Sequence, residues 1–266
     1  MGITDGTAEW LRRHVESQPN LDAAQLNLIL RRLAIWRSSM IANTYVSRQG
    51  TTVGYGPFKG MDYAVAATEG ALAPRLLGAY ERELHSHIEA FIAQGVDHVI
   101  DIGCAEGYYA VGMARRLPDA IIHAYDINPR AQAACGVLAA RNGVADRVRI
   151  GGEFAPATFA DFAGKNCLVI VDIEGAEDDL LAPAASPALC GMSLIVETHE
   201  LFRPGLMARM TARFAPSHDI LVVGHEANTT PEPPWLAELN HMDRLLAVWE
   251  WRSGPTPWLV MRPRRG

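Results

Sequence analysis

The sequence predicts a doubly wound α/β fold of the Rossmann-like type, with a mostly parallel sheet, an antiparallel last strand and a helical N-terminal extension. Three observations predict it. After Gly95, short apolar runs alternate with helix-like segments, which is the pattern of parallel βαβ units. The run from Leu168 to Val171 is continuously apolar, as expected for a strand that is covered on both faces. A turn with glycines at 103 and 107 joins the first strand to a helix, and folds of this type bind ligands at that edge of the sheet.

Residues 1–78 are expected to form the extension and a glycine-rich loop that together cap the substrate entrance, and residues 79–266 the α/β domain. Apolar spacing before residue 45 predicts two helices that are broken near Pro19, with Asp22 as an N-cap. The stretch 49–63 holds four glycines and one proline, which predicts an ordered loop or a short hairpin. This loop could serve as a substrate lid or as a structural turn.

Periodicity also predicts the elements before and after the central strands. A helix over 78–94 is predicted because its apolar residues fall on one face, and Gly95 can adopt the C-cap conformation. Towards the C-terminus we predict a proline-rich segment at 228–234, a helix over 236–251 and a last strand at 259–262.

Composition restricts the classes of function. The chain has 266 residues, a formal net charge of -6 and no long basic run, which does not favour binding to nucleic acid. The four cysteines show no metal-ligand spacing, and no apolar stretch reaches the roughly 18 residues of a membrane span. We therefore expect a cytoplasmic protein with reduced thiols that acts on a small molecule and has neither a nucleic-acid nor a membrane partner. A homo-oligomer is compatible with the sequence.

The strongest local signal is the segment VIDIGCAEGY, a strand that runs into a tight turn and then a helix. The candidate cofactor-binding residues of this segment are Asp101, Gly103, Cys104, Ala105, Glu106, Gly107 and Tyr108. Glycine lets the backbone approach a ligand closely. Three larger residues separate the two glycines, so the turn is not the G-x-G-x-x-G of a pyrophosphate site. The carboxylates of Asp101 and Glu106 favour a cationic ligand that carries an amino or sulfonium group.

The second predicted strand ends in Asp126, which lies 25 positions after Asp101. A carboxylate at this position can accept hydrogen bonds from both hydroxyls of a ribose. Together with the acidic turn, it narrows the choice of nucleoside cofactor to S-adenosylmethionine. Ile127 follows Asp126, and Gly152 with Glu153 follows the third strand, so these residues complete the predicted cofactor site.

On these residues the chain resembles the class I methyltransferases, which implies their Rossmann-like sheet and S-adenosylmethionine as the cofactor. Residues 101–107 look like the first motif of that group, and Asp126 looks like its ribose-binding acid. The segment 171–177, VDIEGAE, resembles the D-x-E-G-A-E signature of the FkbM-type methyltransferases, and 195–199, IVETH, is similar to the strand that follows it. This second resemblance implies O-methylation of a small molecule such as a sugar or another natural product.

Candidate catalytic residues lie at the ends of two strands that are predicted to be neighbours. Asp172 and Glu174 end the fourth strand, and Glu197 and His199 should end the fifth. A carboxylate or a neutral imidazole there could take the proton from an attacking hydroxyl, so Asp172, Glu174 and His199 are the catalytic candidates, with Asp172 also near the cofactor. The same set could instead bind a divalent ion, although an imidazole makes a pure Mg²⁺ site less natural. Acids such as Glu174 and Glu177 are also favoured at a helix start by the macrodipole alone.

Two other functions remain open at this point. A nucleotide-dependent oxidoreductase on the same architecture is disfavoured by the missing third glycine and by Glu106. A protein that binds S-adenosylmethionine without catalysis is also disfavoured, because the acidic cluster between 172 and 199 would then have no evident function.

Overall fold

The computed structural model describes residues 2–18, 20–65, 67, 70–226 and 231–264. The predicted helix break at Pro19 and residues 228–230 of the proline-rich segment lie outside these ranges. Among the helices described, none is both long enough and apolar enough to cross a membrane.

The N-terminal extension consists of two helices, α1 (Ile3–Ser17) and α2 (Ala23–Gln49), which confirms the prediction. Asp22 is the N-cap of α2, since its side chain accepts a hydrogen bond of 2.9 Å from the backbone N–H of Gln25. The Gln25 side chain in turn accepts one of 3.0 Å from the backbone N–H of Asp22. This reciprocal pair satisfies two backbone donors at the start of the helix and fixes where α2 begins.

The glycine-rich loop after α2 is ordered, as predicted, and an isolated antiparallel bridge pairs Thr52 with Asp62. Phe58 is buried at the tip of this loop and packs edge-on against Tyr108, with their ring centroids 5.2 Å apart. A Cβ at Gly112 would lie 2.5 Å from the Phe58 ring, so the ring can be buried there only because position 112 lacks a side chain. The loop is therefore part of the core.

The predicted helix over 78–94 is wrong in its first half. A helix, α3 (Leu72–Leu77), ends at Gly78, which has a φ of +73°. A Cβ at this glycine would lie 1.9 Å from the carbonyl oxygen of Tyr55, so the close approach of the preceding loop fixes the break. After a turn, the next helix, α4 (His85–Gln94), begins only at His85.

A seven-stranded sheet forms the centre of the molecule. Its strands in chain order are β1 (His98–Ile102), β2 (Ile121–Tyr125), β3 (Val148–Gly151), β4 (Cys167–Val171), β5 (Ser193–Glu197), β6 (His218–Val223) and β7 (Trp258–Pro263). Their order across the sheet is β3-β2-β1-β4-β5-β7-β6. Strands β1 to β5 pair in parallel, whereas β7 is antiparallel to both of its neighbours. The predicted fold, mostly parallel with an antiparallel last strand, is confirmed.

Six further helices accompany the sheet: α5 (Tyr108–Arg116), α6 (Pro129–Arg141), α7 (Glu177–Leu180), α8 (Leu206–Phe214), α9 (Pro234–Ala237) and α10 (His241–Ala247). The single helix predicted over 236–251 is wrong, because the chain forms α9 and α10 instead. Asn240 starts the second of these helices, since its side chain accepts a 2.9 Å hydrogen bond from the backbone N–H of Asp243. Beyond α10 the chain is irregular, and Trp251 has a φ of +67°.

Each face of the sheet carries its own hydrophobic core. On β4, Leu168 and Ile170 contribute to one core, while Val169 and Val171 contribute to the other, as the alternation of a strand requires. The first core also contains Tyr45 from α2 and other side chains of the extension. The extension and the α/β domain therefore share one core.

Candidate active site

A cavity of about 680 Å³ opens at the carboxyl ends of β1, β4 and β5. Its wall is made by the turn after β1, the residues that follow β4 and β5, the segment 250–258, and Arg31 from α2. This is the edge of an open α/β sheet at which ligands bind, next to the point where the strand order reverses. A volume of this size is in the range of small-molecule sites.

Strained backbone is concentrated in the wall of this cavity. Among the residues described, four that are not glycine have a positive φ: Glu81, Ala105, Glu174 and Trp251. All four line the cavity. Such conformations cost about 1–3 kcal/mol each and occur mostly at functional sites. The strain is therefore an indication of function that does not depend on any sequence motif.

Asp172, Glu197 and His199 converge at the ends of β4 and β5, because these two strands pair in parallel and end side by side. The Nε2 atom of His199 lies 3.5 Å from Asp172 Oδ1 and 3.4 Å from Glu197 Oε2. One ligand atom from each side chain lies within 4.8 Å of the other two. The predicted meeting of these residues is confirmed.

Glu177 holds the imidazole of His199 in this orientation. Its Oε1 atom lies 2.7 Å from His199 Nδ1 and accepts hydrogen bonds from the backbone N–H groups of Ile173 and Gly175. Burial acts to raise the pKa of Glu177, but the bond to His199 and these backbone donors leave its pKa lowered. A carboxylate behind a histidine fixes the tautomer and directs the other nitrogen outwards. Here that nitrogen, Nε2, faces Asp172 and Glu197.

The pKa values of Asp172 and His199 are both raised in the cluster. Burial and the neighbouring charge of Glu197 raise the pKa of Asp172 well above its ordinary value. Burial opposes the charged form of His199, but the bond to Glu177 and the charge of Glu197 outweigh it and raise the pKa of the imidazole. Such a cluster can take up protons or exchange them for a cation. Two carboxylates and one imidazole, supported by Glu177, fit a divalent ion such as Mn²⁺.

The structure does not bring Glu174 into this cluster. Its side chain is exposed at the cavity wall, and its φ of +55° is followed by +101° at Gly175. These two left-handed residues turn the chain away from the end of β4. The third member of the cluster is therefore Glu197, and the catalytic role predicted for Glu174 stays a prediction.

Packing within the protein requires glycine at both glycine positions of the turn after β1. Gly103 has a φ of +85°, and a Cβ there would lie 1.7 Å from the carbonyl oxygen of Asp172. Gly107 has a φ of +94°, and its Cβ would lie 2.7 Å from Cys135 Sγ. Close packing within the protein therefore explains the glycines. Six of the residues of this turn that are predicted to bind the cofactor line the cavity: Asp101, Gly103, Cys104, Ala105, Glu106 and Tyr108.

Asp101 is a buried carboxyl group that lines the cavity. It is 3% exposed, and no hydrogen-bond partner among the described residues reaches its Oδ2 atom. Burial raises the pKa of Asp101 to about 7. A cationic ligand beside it would favour its ionised form.

Glu106 does not present a free negative charge to the cavity, which corrects the electrostatic argument from the sequence. It is fully buried and accepts a hydrogen bond from the hydroxyl of Tyr63. The Arg75 guanidinium lies 3.5 Å from its Oε1 atom. Arg75 precedes it by 31 positions in the chain, so no local pattern could indicate this pair.

The residues predicted to bind the nucleoside lie beside the cavity along the edge formed by β2 and β3. Asp126 accepts hydrogen bonds from the backbone N–H groups of Asn128 (2.7 Å) and Ala105 (2.9 Å). It therefore ties the end of β2 to the turn after β1, and its carboxylate retains lone pairs for a ribose. Three further predicted contacts are exposed on this edge: Ile127, Gly152 and Glu153. Their binding to a cofactor stays a prediction.

No family model and no curated protein matches the sequence. Among solved structures, cofactor-bound Rv0187 from MTB is 15% identical with a TM-score of 0.49, over 86% of this chain and 98% of that one. The O-methyltransferase TomG from Streptomyces achromogenes, solved with S-adenosylmethionine, is 15% identical with a TM-score of 0.46, over 87% and 90%. An O-methyltransferase from Bacillus cereus, solved with S-adenosylhomocysteine, is 11% identical with a TM-score of 0.46, over 99% and 100%. Structural similarity at this level is not evidence of function. The proposed function is therefore based on the residues of the site.

The glycine-rich loop does not line the cavity, which favours a structural turn over a substrate lid. None of residues 55–61 lines the cavity, and Phe58 belongs to the core. Three other residues of the extension do reach the wall: Arg31, Gly70 and Arg75. That the extension caps the substrate entrance stays a prediction.

Proposed function

We propose that the chain is a class I methyltransferase that transfers a methyl group from S-adenosylmethionine to a hydroxyl oxygen of a small molecule. The observation that carries this proposal is one cavity that joins the turn after β1 to the cluster of Asp172, Glu197 and His199. We also propose an FkbM-type member with a sugar or another natural product as the acceptor. The VDIEGAE segment supports this assignment because it supplies both Asp172 and Glu177 to the cluster.

When bound, S-adenosylmethionine supplies an electrophilic methyl group, and a divalent ion lowers the pKa of a hydroxyl that it contacts. Asp172, Glu197 and His199 would hold the ion through two carboxylate oxygens and Nε2. Glu177 keeps Nδ1 of the imidazole engaged. In the alternative mechanism without an ion, Asp172 would take the acceptor's proton, because its side chain is 35% exposed, against 7% for Glu197. The chain contributes mainly by holding donor and acceptor in line.

The charge of the cavity disfavours the rival function, a nucleotide-dependent oxidoreductase. Eight acidic side chains line it, against three arginines and one histidine, so acidic groups remain in excess after Glu106 is paired with Arg75. The acids are Glu81, Asp101, Glu106, Asp172, Glu174, Glu197, Glu200 and Glu250. A pyrophosphate would meet like charge in such a cavity, whereas a sulfonium or an amino group would meet opposite charge.

The first test of the proposed function is ligand binding to the purified protein. We expect S-adenosylmethionine and S-adenosylhomocysteine to bind and NAD not to bind, because the turn after β1 lacks the third glycine of a pyrophosphate site. Isothermal titration calorimetry measures all three. Tight binding of NAD without any response to S-adenosylhomocysteine would contradict the proposal.

The second test concerns Asp126, the proposed ribose contact. Asp126→Ala should weaken S-adenosylhomocysteine binding by about 1.5–3 kcal/mol, because a charge-assisted hydrogen bond is lost. Asp119→Ala is the matched control, since Asp119 is exposed in the turn before β2. Thermal melting must show that the variant is folded, because Asp126 also accepts two backbone hydrogen bonds. Unchanged affinity in a folded variant would remove Asp126 from the site.

A further inference from the structure

Arg252 lies behind the cluster, within a group of four glutamates. Its Nη1 atom contacts Glu197 Oε1, and its Nε atom lies 2.7 Å from Glu250 Oε2. Its Nη2 atom lies 3.4 Å from Glu81 Oε1 and 3.7 Å from Glu83 Oε1. Each of the three guanidinium nitrogens therefore faces a carboxylate of the protein. The side chain is only 18% exposed, and an anionic ligand would meet this excess of carboxylates, so Arg252 is not an anion-binding residue.

The contact with Arg252 determines how Glu197 is presented. Arg252 contacts Oε1, while the other oxygen, Oε2, faces His199 Nε2 at 3.4 Å. The guanidinium thus contacts the Glu197 oxygen that does not face His199. In the same way, Glu177 contacts the His199 nitrogen that does not face Asp172 and Glu197. Groups that orient ligand side chains in this way commonly change metal affinity by about 10–100-fold when they are removed.

The N-terminal extension holds the backbone that carries Arg252. On α2, Arg31 donates hydrogen bonds to the carbonyl oxygens of Trp251 and, at 3.4 Å, of Arg252 itself. Its guanidinium also lies over the Trp249 ring, 5.5 Å from the centroid. Trp251 has a φ of +67°, and a strained conformation of this kind persists only where the surroundings hold it.

We infer that Arg31 and Arg252 are positioning residues for the proposed cation site, and that α2 therefore helps to fix the geometry of that site. Arg31 fixes the backbone at 251 and 252, and Arg252 then fixes the Glu197 carboxylate with Oε2 directed at the site. This inference rests on the proposed function. It assigns to the extension a task beyond that of a cap, because Arg31 holds the backbone that carries Arg252.

The test is direct binding of Mn²⁺, measured by calorimetry with MnCl₂ in the absence of S-adenosylmethionine. Arg31→Met removes both carbonyl contacts but keeps a long side chain against Trp249. Arg32→Met is the matched control, because Arg32 is exposed on the same helix and its guanidinium lies over the Trp10 ring. We expect Arg31→Met to weaken Mn²⁺ binding about tenfold, Arg31→Lys to restore part of it, and Arg32→Met to leave it unchanged.

A second variant tests the same inference closer to the cluster. Arg252→Lys keeps a positive charge among the glutamates, but a single ammonium cannot contact Glu197 and Glu250 in the fixed geometry of a guanidinium. We expect Mn²⁺ binding to weaken at least tenfold, while the affinity for S-adenosylhomocysteine shows that the protein is folded.

The outcomes separate this inference from the proposed function. Wild-type Mn²⁺ affinity in Arg31→Met and Arg252→Lys would overturn the inference and leave the proposed function intact. Equal weakening by Arg31→Met and Arg32→Met would also overturn it, since it would reflect a general effect on α2. A wild-type protein that binds S-adenosylhomocysteine but no Mn²⁺ would overturn both the inference and the proposed cation site, and would leave the methyltransferase proposal standing.

Discussion

Replacing His199 with alanine is expected to slow methyl transfer by about a hundredfold or more, and Asp172→Asn should have an effect of similar size. Both changes remove a group from the cluster at the ends of β4 and β5, whether it acts as a base or as a ligand. The affinity for S-adenosylhomocysteine should stay within about twofold, because the proposed ribose contact at Asp126 is left intact. Turnover is measured as S-adenosylhomocysteine formed with an acceptor selected from a panel of sugars and other hydroxylated natural products.

The matched control for this prediction is His241→Ala, since His241 is exposed at the start of α10 and should be replaceable without loss of turnover. A chelator then separates the two mechanisms, because it abolishes a reaction that needs a metal and leaves a simple base active. Full activity in both His199→Ala and Asp172→Asn would show that the cluster is structural. The proton acceptor would then have to be sought elsewhere in the cavity wall.

The second large effect is expected for stability. Gly103→Ala should lower the free energy of unfolding by about 3–4 kcal/mol, because it combines the left-handed conformation of an L-residue with overpacking. The new Cβ would lie 1.7 Å from the carbonyl oxygen of Asp172, so the turn after β1 and the end of β4 would have to separate. Urea unfolding measures the change in free energy.

Gly143→Ala is the control that isolates the contact from the conformation. Gly143 has a similar φ of +67°, but a Cβ there meets nothing within 4 Å. Gly143→Ala should therefore lower the free energy of unfolding by only about 1–2 kcal/mol. Equal destabilisation by the two substitutions would mean that the contact with Asp172 relaxes freely.

The fold could be predicted because its information is local. Alternating apolar runs indicate parallel βαβ units whatever the details of packing, and the carboxyl ends of neighbouring strands must meet at one edge. This is why Asp172 and His199 could be brought together from the sequence alone. The VDIEGAE segment was recognised as a motif, but the role of Glu177 in holding His199 could not be predicted from it. An acidic residue near the start of a helix is explained equally well by the helix macrodipole.

What could not be predicted depends on contacts between distant parts of the chain. The helix proposed over 78–94 is interrupted because Tyr55 packs against Gly78, and nothing within the segment indicates that neighbour. Arg252 meets Glu197 across 55 positions and Glu81 across 171. Neither spacing belongs to a helix or a strand, so the sequence carries no signature of the contacts that Arg252 makes.

The four strained residues around the cavity have a consequence for how this protein can evolve or be engineered. At about 1–3 kcal/mol each, their combined cost is comparable with the net stability of about 5–15 kcal/mol that a folded protein has. Selection for thermal tolerance alone would therefore favour glycine or asparagine at Ala105 and at the exposed Glu174, where the strain would be relieved without the loss of a buried ion pair. Heat resistance acquired in this way would come from the wall of the cavity, and a more stable variant would bind and orient its ligands less well.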